Sequence, residues 1–341
     1  MKLKQMLILS TISVATIIMA GCSGPLPETS IVPLASTVQK VPPGLIAFIG
    51  ADKQVWLMDP DGHNQQRLTT GGIARSPAWS PNGQLLAYIY QEEGSEIRKA
   101  HLYNPLNKTD RLIEADGDPR LALVNWSPHN RYLVLDVGCC SGRSLSIVKV
   151  SDGQIVDELG AFGYAWSPNG DRLVFGIRAP LEVPIPVEPG DSISLAMIQV
   201  GAGQQPQVIF TGTNQARYFP FAWLPDGRIL YNRLDWDEST QTGDQTWWTV
   251  TFTGDGEKNE PQPAENIPPA YNRDTVLARL PAEMQNPGTG SFSWSSDGKW
   301  IVFYAGEGAD NSIYLFNWAE GGQPNRLAAG IYPSWQPASV E

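Results

Sequence analysis

A short phrase joining a Trp, a turn and an apolar return recurs along this chain, and the recurrence restricts the fold more tightly than any bulk property. The copies are Pro77-Ala78-Trp79-Ser80-Pro81-Asn82-Gly83 before Leu85-Leu86-Ala87-Tyr88, Asn125-Trp126-Ser127-Pro128-His129-Asn130 before Leu133-Val134-Leu135, and Ala165-Trp166-Ser167-Pro168-Asn169-Gly170 before Leu173-Val174-Phe175. Two more are Ala222-Trp223-Leu224-Pro225-Asp226-Gly227 before Ile229-Leu230-Tyr231, and Ser293-Trp294-Ser295-Ser296-Asp297-Gly298 before Ile301-Val302-Phe303. Each reads as a hairpin. A strand ends at the Trp, Pro holds φ at about −65° in the turn, Asn or Asp tolerates the turn geometry, and Gly takes the left-handed position.

Two half-copies stand at opposite ends. Tyr332-Pro333-Ser334-Trp335-Gln336-Pro337 has the Trp strand without a return, and Leu45-Ile46-Ala47-Phe48-Ile49 has the return without a Trp. They complete each other if the chain closes on itself, which predicts an all-β, six-bladed β-propeller closed by pairing of the C-terminal strand with the first blade, leaving no exposed sheet edge at the seam. The Trp-to-Trp spacings of 47, 40, 57, 71 and 41 residues allow four strands (A to D) per unit. Strand C is legible in Val55–Asp59, Leu145–Lys149 and Ile313–Phe316, and strand D in Gln66–Thr69 and Asn325–Ala328. Only Asp274–Met284 hints at helix, and Pro281 limits it to a turn or two.

These residues resemble the TolB-type β-propeller repeat, whose units read W-S-P-D-G-x-x-L-A-F followed by a strand ending near Asp, as at Met58-Asp59-Pro60-Asp61-Gly62. The resemblance covers residues 45–337. Departures are Leu224 for Ser, Ser296 for Pro, and His129-Asn130 for Asp-Gly, so the turn of the third blade is the least regular. TolB itself also has an amino-terminal α/β domain, for which no segment here offers a pattern. The role of TolB in the Tol-Pal system therefore does not transfer automatically.

The amino terminus reads as an address. Met1–Gln5 carry two lysines, and Met6–Ala20 is a 15-residue run without charge, shorter than the roughly 20 residues a bilayer span needs. Met19-Ala20-Gly21-Cys22 resembles the bacterial lipobox, with Met in the usual place of Leu. The resemblance implies that residues 1–21 are removed and that Cys22 becomes an acylated first residue. More than one acyl chain, at about 0.8 kcal/mol per buried CH₂, gives lasting attachment. The alternative is an ordinary secreted protein in which Cys22 falls there by chance. Ser23, rather than Asp, follows the Cys and favours the outer membrane, facing the periplasm, where the host has one; otherwise the protein lies on the outer face of the cell membrane. Residues 22–44 hold five prolines and form an extended tether, and residues 45–341 form the propeller.

The formal charge of −11 argues against nucleic acid as a partner, and three Cys cannot staple 341 residues, so burial holds the fold. Trp79, Trp126, Trp166, Trp223, Trp294 and Trp335 keep one place in the repeat. They read as fillers of the wedges between blades, against the alternative of a ring of stacking platforms. Asp59-Pro60-Asp61-Gly62 reads as a tight turn, since its Gly offset and the missing Glu do not suit a calcium loop.

In an up-and-down sheet the A–B and C–D turns share one face, and the B–C and D–A connections share the other. The A–B turns are uniformly tight and the B–C loops vary, which places binding on the B–C face. Its candidates are Glu92, Glu93, Arg143, Arg178, Asp237 and Glu238, with Trp236 as an exposed aromatic anchor. The insertion 254–290 is expected to leave the fifth unit after strand C. Asp235, Asp237, Glu238 and Asp244 could hold Ca²⁺ but more often are only solvated; no other cofactor or metal is expected.

Cys139 and Cys140 are neighbours, with Cα atoms about 3.8 Å apart, shorter than ordinary disulfides allow. Inert thiols, a strained vicinal disulfide and a redox or metal role all stay open; intact mass before and after reduction separates the first two. His63, His101 and His129 do not converge in this layout. No G-x-S-x-G, H-E-x-x-H or phosphate loop occurs. The reading is a monomeric, non-catalytic envelope lipoprotein that binds a protein or glycan. The alternative is a carboxylate-dependent hydrolase or lyase acting at the channel mouth.

Overall fold

The repeated phrase folds as its residues demand. The computed structural model describes residues 41–113, 117–138, 144–178, 192–213, 215–237, 239–240, 242–252, 257–286 and 288–338. The leader, most of the tether, Cys22, Cys139, Cys140, Arg143, the connection 179–191 and Glu238 lie outside the described residues. In all five phrases the fourth residue past Trp closes back on the residue that follows Trp. Gly83, Gly170, Gly227 and Gly298 donate their N–H to the carbonyls of Ser80, Ser167, Leu224 and Ser295 at 2.8–2.9 Å, each with φ between +63° and +89°. Asn130 does the same in the copy that lacks Gly, at φ +58° and 3.1 Å from Ser127 O. The third turn is therefore as regular as the others, since Asn visits the left-handed region at low cost.

The serine of the phrase is buried and satisfies an amide inside the turn. Ser80, Ser127, Ser167 and Ser295 Oγ accept from the N–H of Leu85, Tyr132, Arg172 and Trp300 at 2.9–3.0 Å. Leu224 cannot do this. Its turn is one residue shorter, with Leu224 N–H bonded to Arg228 O at 2.7 Å, and its side chain packs with Ile267 and Tyr271 instead.

The protein is all-β, with four four-stranded antiparallel sheets and one of seven strands. The Trp79 sheet runs Ile73–Trp79, Leu86–Gln91, Arg98–Asn104, Thr109–Leu112. The Trp126 sheet runs Leu121–Trp126, Tyr132–Val137, Ser144–Lys149, Ile155–Gly160, and the Trp166 sheet Phe162–Trp166, Arg172–Arg178, Ile193–Gln199, Gln207–Phe210. The Trp223 sheet runs Ala216–Trp223, Ile229–Asp237, Thr242–Val250, Gln262–Pro263. The seven-stranded sheet has the order Gly290–Trp294, Trp300–Ala305, Ser312–Asn317, Asn325–Trp335, Ile46–Gly50, Val55–Met58, Gln66–Arg67.

In that last sheet one strand serves two ladders. The first half of Asn325–Trp335 pairs with Ser312–Asn317 (Ile313 opposite Ala328), and the second half pairs with Ile46–Gly50 (Ile46 opposite Trp335). At the junction Gly330 has φ +153°, and a Cβ there would lie 2.4 Å from Ile49 O, so only Gly fits. Gln336 clamps the end. Its N–H reaches Leu45 O at 2.8 Å, its Oε1 accepts from Leu45 N–H at 2.9 Å, and its Nε2 donates to Gly83 O at 2.7 Å.

Every Trp-bearing strand carries a bulge just before its Trp. Three residues ahead of Trp79, Trp166, Trp294 and Trp335 stand Ser76, Gly163, Ser291 and Tyr332, all left-handed. Pro220 occupies that place before Trp223, and its locked negative φ forces a different irregularity there. The bulges let inner strands bond one another. Ser334 Oγ accepts from Trp79 N–H at 3.2 Å, Ser293 Oγ accepts from Trp335 N–H at 2.9 Å, and Trp126 Nε1 donates to Ala78 O at 2.9 Å.

The core is a series of apolar wedges between sheets. Ile49, Val55 and Leu57 meet Leu86 and Tyr88. Ile89 and Leu102 meet Leu133 and Leu135, Val134 and Ile147 meet Leu173 and Phe175, and Val174 and Leu195 meet Ile229 and Tyr231. The Trp223 and Trp294 units are different, because the 254–290 insertion packs against both. Contrary to the expectation from sequence, it does not all follow strand C: Gln262–Pro263 is the fourth strand of the Trp223 sheet, and most of the insertion connects that strand to the next unit. A two-residue strand carries no alternation by which it could be recognised. Beyond it, Arg273–Leu277 form a helix capped by Asn272, whose side chain accepts from Thr275 N–H, and a 3₁₀ turn follows Pro281. Leu277, Leu280 and Met284 pack on Phe292, Phe303 and Phe316.

Trp335 is 2% exposed and ends the second ladder, opposite Ile46. Trp335→Ala is expected to cost about 3–5 kcal/mol in denaturant unfolding, and Trp294→Ala, at a half-buried site, distinctly less.

Candidate functional site

The repeat Trp residues do not share one environment. Trp79, Trp126 and Trp335 are buried, whereas Trp166, Trp223 and Trp294 are half-buried. Trp126, Trp166 and Trp223 pack on the apolar clusters between sheets, as fillers of wedges would, and also keep surface towards a shared cavity. Trp126, Trp166 and Trp223 line a cavity of about 790 Å³ at the A–B turn end, together with Leu123, Asn125, Tyr164, Phe221 and Tyr271 and the turn prolines Pro81, Pro128, Pro168 and Pro225. Phe221 is 47% exposed and meets Trp247 edge to face at 5.2 Å. Asn125 Nδ2 donates to Tyr164 Oη at 2.9 Å, fixing that ring. Among the described residues Asp136 is the one carboxylate of this lining, and it is buried. Aromatic faces, prolines and a single carboxylate make a surface for stacking and apolar contact.

The predicted B–C residues come from three sheets. Glu92 and Glu93 are exposed in a tight turn closed by Ser95 N–H on Glu92 O at 3.1 Å. Arg178 ends its strand, half-buried. Trp236 and Asp237 are not in a loop. The second and third strands extend as a long hairpin that pairs Trp236 with Gly243 and Asp237 with Thr242. Trp236 is half-buried, its N–H bonds Gln215 O at 2.8 Å, and the Arg217 guanidinium lies 5.2 Å from its ring. Asp237 accepts from Ser239 N–H and Oγ at 2.8 and 2.6 Å, and these bonds hold its carboxyl below the usual value. Asp235 faces Asp244 across the ladder and pairs with Arg233 at 2.7 Å.

The histidines stand apart. His63 and His129 are exposed, and His101 belongs to a cross-strand cluster in the Trp79 sheet. Its ring stacks on Tyr88 at 5.3 Å, and its Nδ1 lies 3.2 Å from Asp110, which also accepts from Tyr88 Oη at 2.7 Å. Burial, then the Asp110 contact, pushes the Tyr88 hydroxyl up. Burial opposes ionisation of Asp110, but the bonds from His101 and Tyr88 outweigh it and keep the carboxyl below its ordinary value.

Over 62 residues, 17% of the chain, the sequence is 42% identical to the Tol-Pal system protein TolB of Desulfosudis oleivorans, a match that spans 14% of that protein's length. The chain resembles TolB-type propellers. No family model matches it. Among solved structures it is similar to TolB from Acinetobacter baumannii, at 16% identity and TM-score 0.46 over 86% of this chain and 67% of that one. It is also similar to oligogalacturonate lyase from Vibrio parahaemolyticus, at 13% identity and TM-score 0.47 over 85% of each chain. A third is the β-propeller domain of the Trilobed protease from Pyrococcus furiosus, at 12% identity and TM-score 0.45 over 81% of this chain and 77% of that one.

Because the Asp110 carboxyl sits below its ordinary value of 3.8 when folded, its stabilising effect is present above that pH and is lost as pH falls through the folded value. Asp110→Asn is expected to lower the urea midpoint at pH 7, and the gap from the wild type should narrow near pH 3.

Proposed function

We propose that this chain is a six-bladed β-propeller, sealed by Asn325–Trp335 against Ile46–Gly50 and held to the cell envelope through Cys22. It works as a monomeric, non-catalytic scaffold that binds an envelope protein or glycan. The observation that carries the binding reading is the aromatic cavity at the A–B turn end, where Trp166, Trp223 and Phe221 keep part of their faces uncovered. Uncovered aromatic surface on a rigid frame is suited to capture, since stacking and apolar contact strengthen as water is displaced. A partner that presents an apolar peptide segment or the flat face of a sugar suits this lining better than a charged one. The stretch of identity with a protein named for the Tol-Pal system supports an envelope setting. Among the described residues of the cavity Asp136 is the single carboxylate, which favours binding over chemistry that needs a carboxylate pair. The exposed Glu92 and Glu93 then belong to a solvated rim rather than to the binding surface.

Affinity capture from solubilised envelopes with the lipid-free ring tests this reading. Trp166→Ala and Phe221→Ala are each expected to weaken retention of the captured partner about tenfold or more, and a Glu92→Ala, Glu93→Ala double variant to leave it intact. Retention lost only in the glutamate variant would move the site to the other face. Turnover of an envelope polymer that disappears in Asp136→Asn would replace the scaffold with an enzyme.

A further inference from the structure

Arg217 poses a problem that the turn-end cavity does not solve. It lies near the start of the inner strand Ala216–Trp223, opposite Leu234, and is only 8% exposed. The Trp236 ring lies beside its guanidinium, with Cζ 5.2 Å from the centroid. Nε and Nη2 are both buried, and neither has a hydrogen-bond acceptor. Among the described residues no carboxylate comes within ion-pair distance of Arg217, although the nearby Arg233 has Asp235 at 2.7 Å. The chain carries 35 acidic residues against 24 basic ones, so acids are not scarce, yet none of the described ones pairs with Arg217.

A buried cation without a counter-charge is among the costlier arrangements in a protein. Buried donors that lack acceptors call for a specific explanation. The identity of the two donors narrows it. Nε–H and one Nη–H form an edge of the guanidinium that donates two parallel bonds to a single carboxylate, and the planar ion is held for that purpose by stacking on an aromatic face. Trp236 supplies the face, and the ladder pairs of the hairpin hold Trp236 in place.

We infer that Arg217, backed by Trp236, is a receiving site for a carboxylate group carried by a ligand. The carboxylate supplies two acceptors and one negative charge where the described residues supply none. It seats when the groups covering the guanidinium edge move aside. A peptide carboxyl terminus and a uronic acid both present this chemistry. The inference stands apart from the turn-end cavity, since it uses a different end of the strand and different residues.

Thermal unfolding of the full chain at constant ionic strength tests it. Sodium acetate is expected to raise the melting temperature of the wild type above that in sodium chloride, by about 2–4 °C at roughly ten times Kd, and the rise should grow with the logarithm of concentration. Arg217→Met should melt higher than the wild type in chloride, having lost an uncompensated buried charge, and should show no acetate increment. Arg233→Met and Trp166→Ala should both keep the increment, which separates this site from the salt bridge and from the cavity. A short peptide with a free carboxyl terminus, its amide, and trigalacturonate then distinguish the two sources; inorganic phosphate tests the choice of carboxylate. If Arg217→Met does not fold, the Arg217 Nε–H resonance of the wild type answers the same question, and it should shift on acetate addition. Equal melting in acetate and chloride, an increment retained by Arg217→Met, an unmoved resonance, or a response to phosphate alone would overturn the inference.

Discussion

Everything in this fold turns on the pairing of residues almost the whole chain apart. Ile46 faces Trp335, and a single strand, Asn325–Trp335, is shared by two ladders. Without it the Ile46–Gly50 strand would have a bare edge, and three apolar surfaces would lose cover at once: Trp335 itself, the Ile46–Met58 side, and the Val302–Leu315 side. Such long-range pairing carries a large loop-closure cost in the unfolded chain, recovered only when both ladders form. Gly330 makes the arrangement possible by passing within reach of Ile49 O, and Gln336 finishes it with bonds to Leu45 and Gly83.

The same geometry links the frame to the candidate site. Each inner strand is bulged just before its Trp, and a bulge shifts the alternation of side chains by one place. Residues that simple alternation would bury, such as Leu123, Phe221 and Tyr332, are thereby left partly exposed. The Trp residues end the same strands, so their rings are positioned by the frame rather than by a loop.

Much of this is legible from residues alone. The five phrases place the hairpins, because turn chemistry is local and strongly residue-specific, and the two half-phrases lead to the expectation that the C-terminal strand joins the Leu45–Ile49 strand. The regular turn at Asn130 shows how a chemical substitute for Gly preserves a motif. Other features leave no readable signal. Gln262–Pro263 is too short to alternate, so residues alone put the whole insertion on the wrong side of the fourth strand. The Trp236 hairpin is rich in Asp, Thr, Gly and Gln and reads as a loop, yet cross-strand pairing extends through it. The cavity is hidden because its strands are bulged at Leu121–Leu123, Phe162–Tyr164 and Pro220–Ala222, where the alternation read from residues alone breaks.

Native-state hydrogen exchange across the seam tests the account most directly. If the shared strand locks the molecule, the amides of Ala47, Ile49 and Trp335 should exchange only through global unfolding, with the same opening free energy as Val134 and Val174 in the interior sheets. Exchange at the seam through a local opening several kcal/mol below that of the interior would contradict the claim that this pairing holds the fold together.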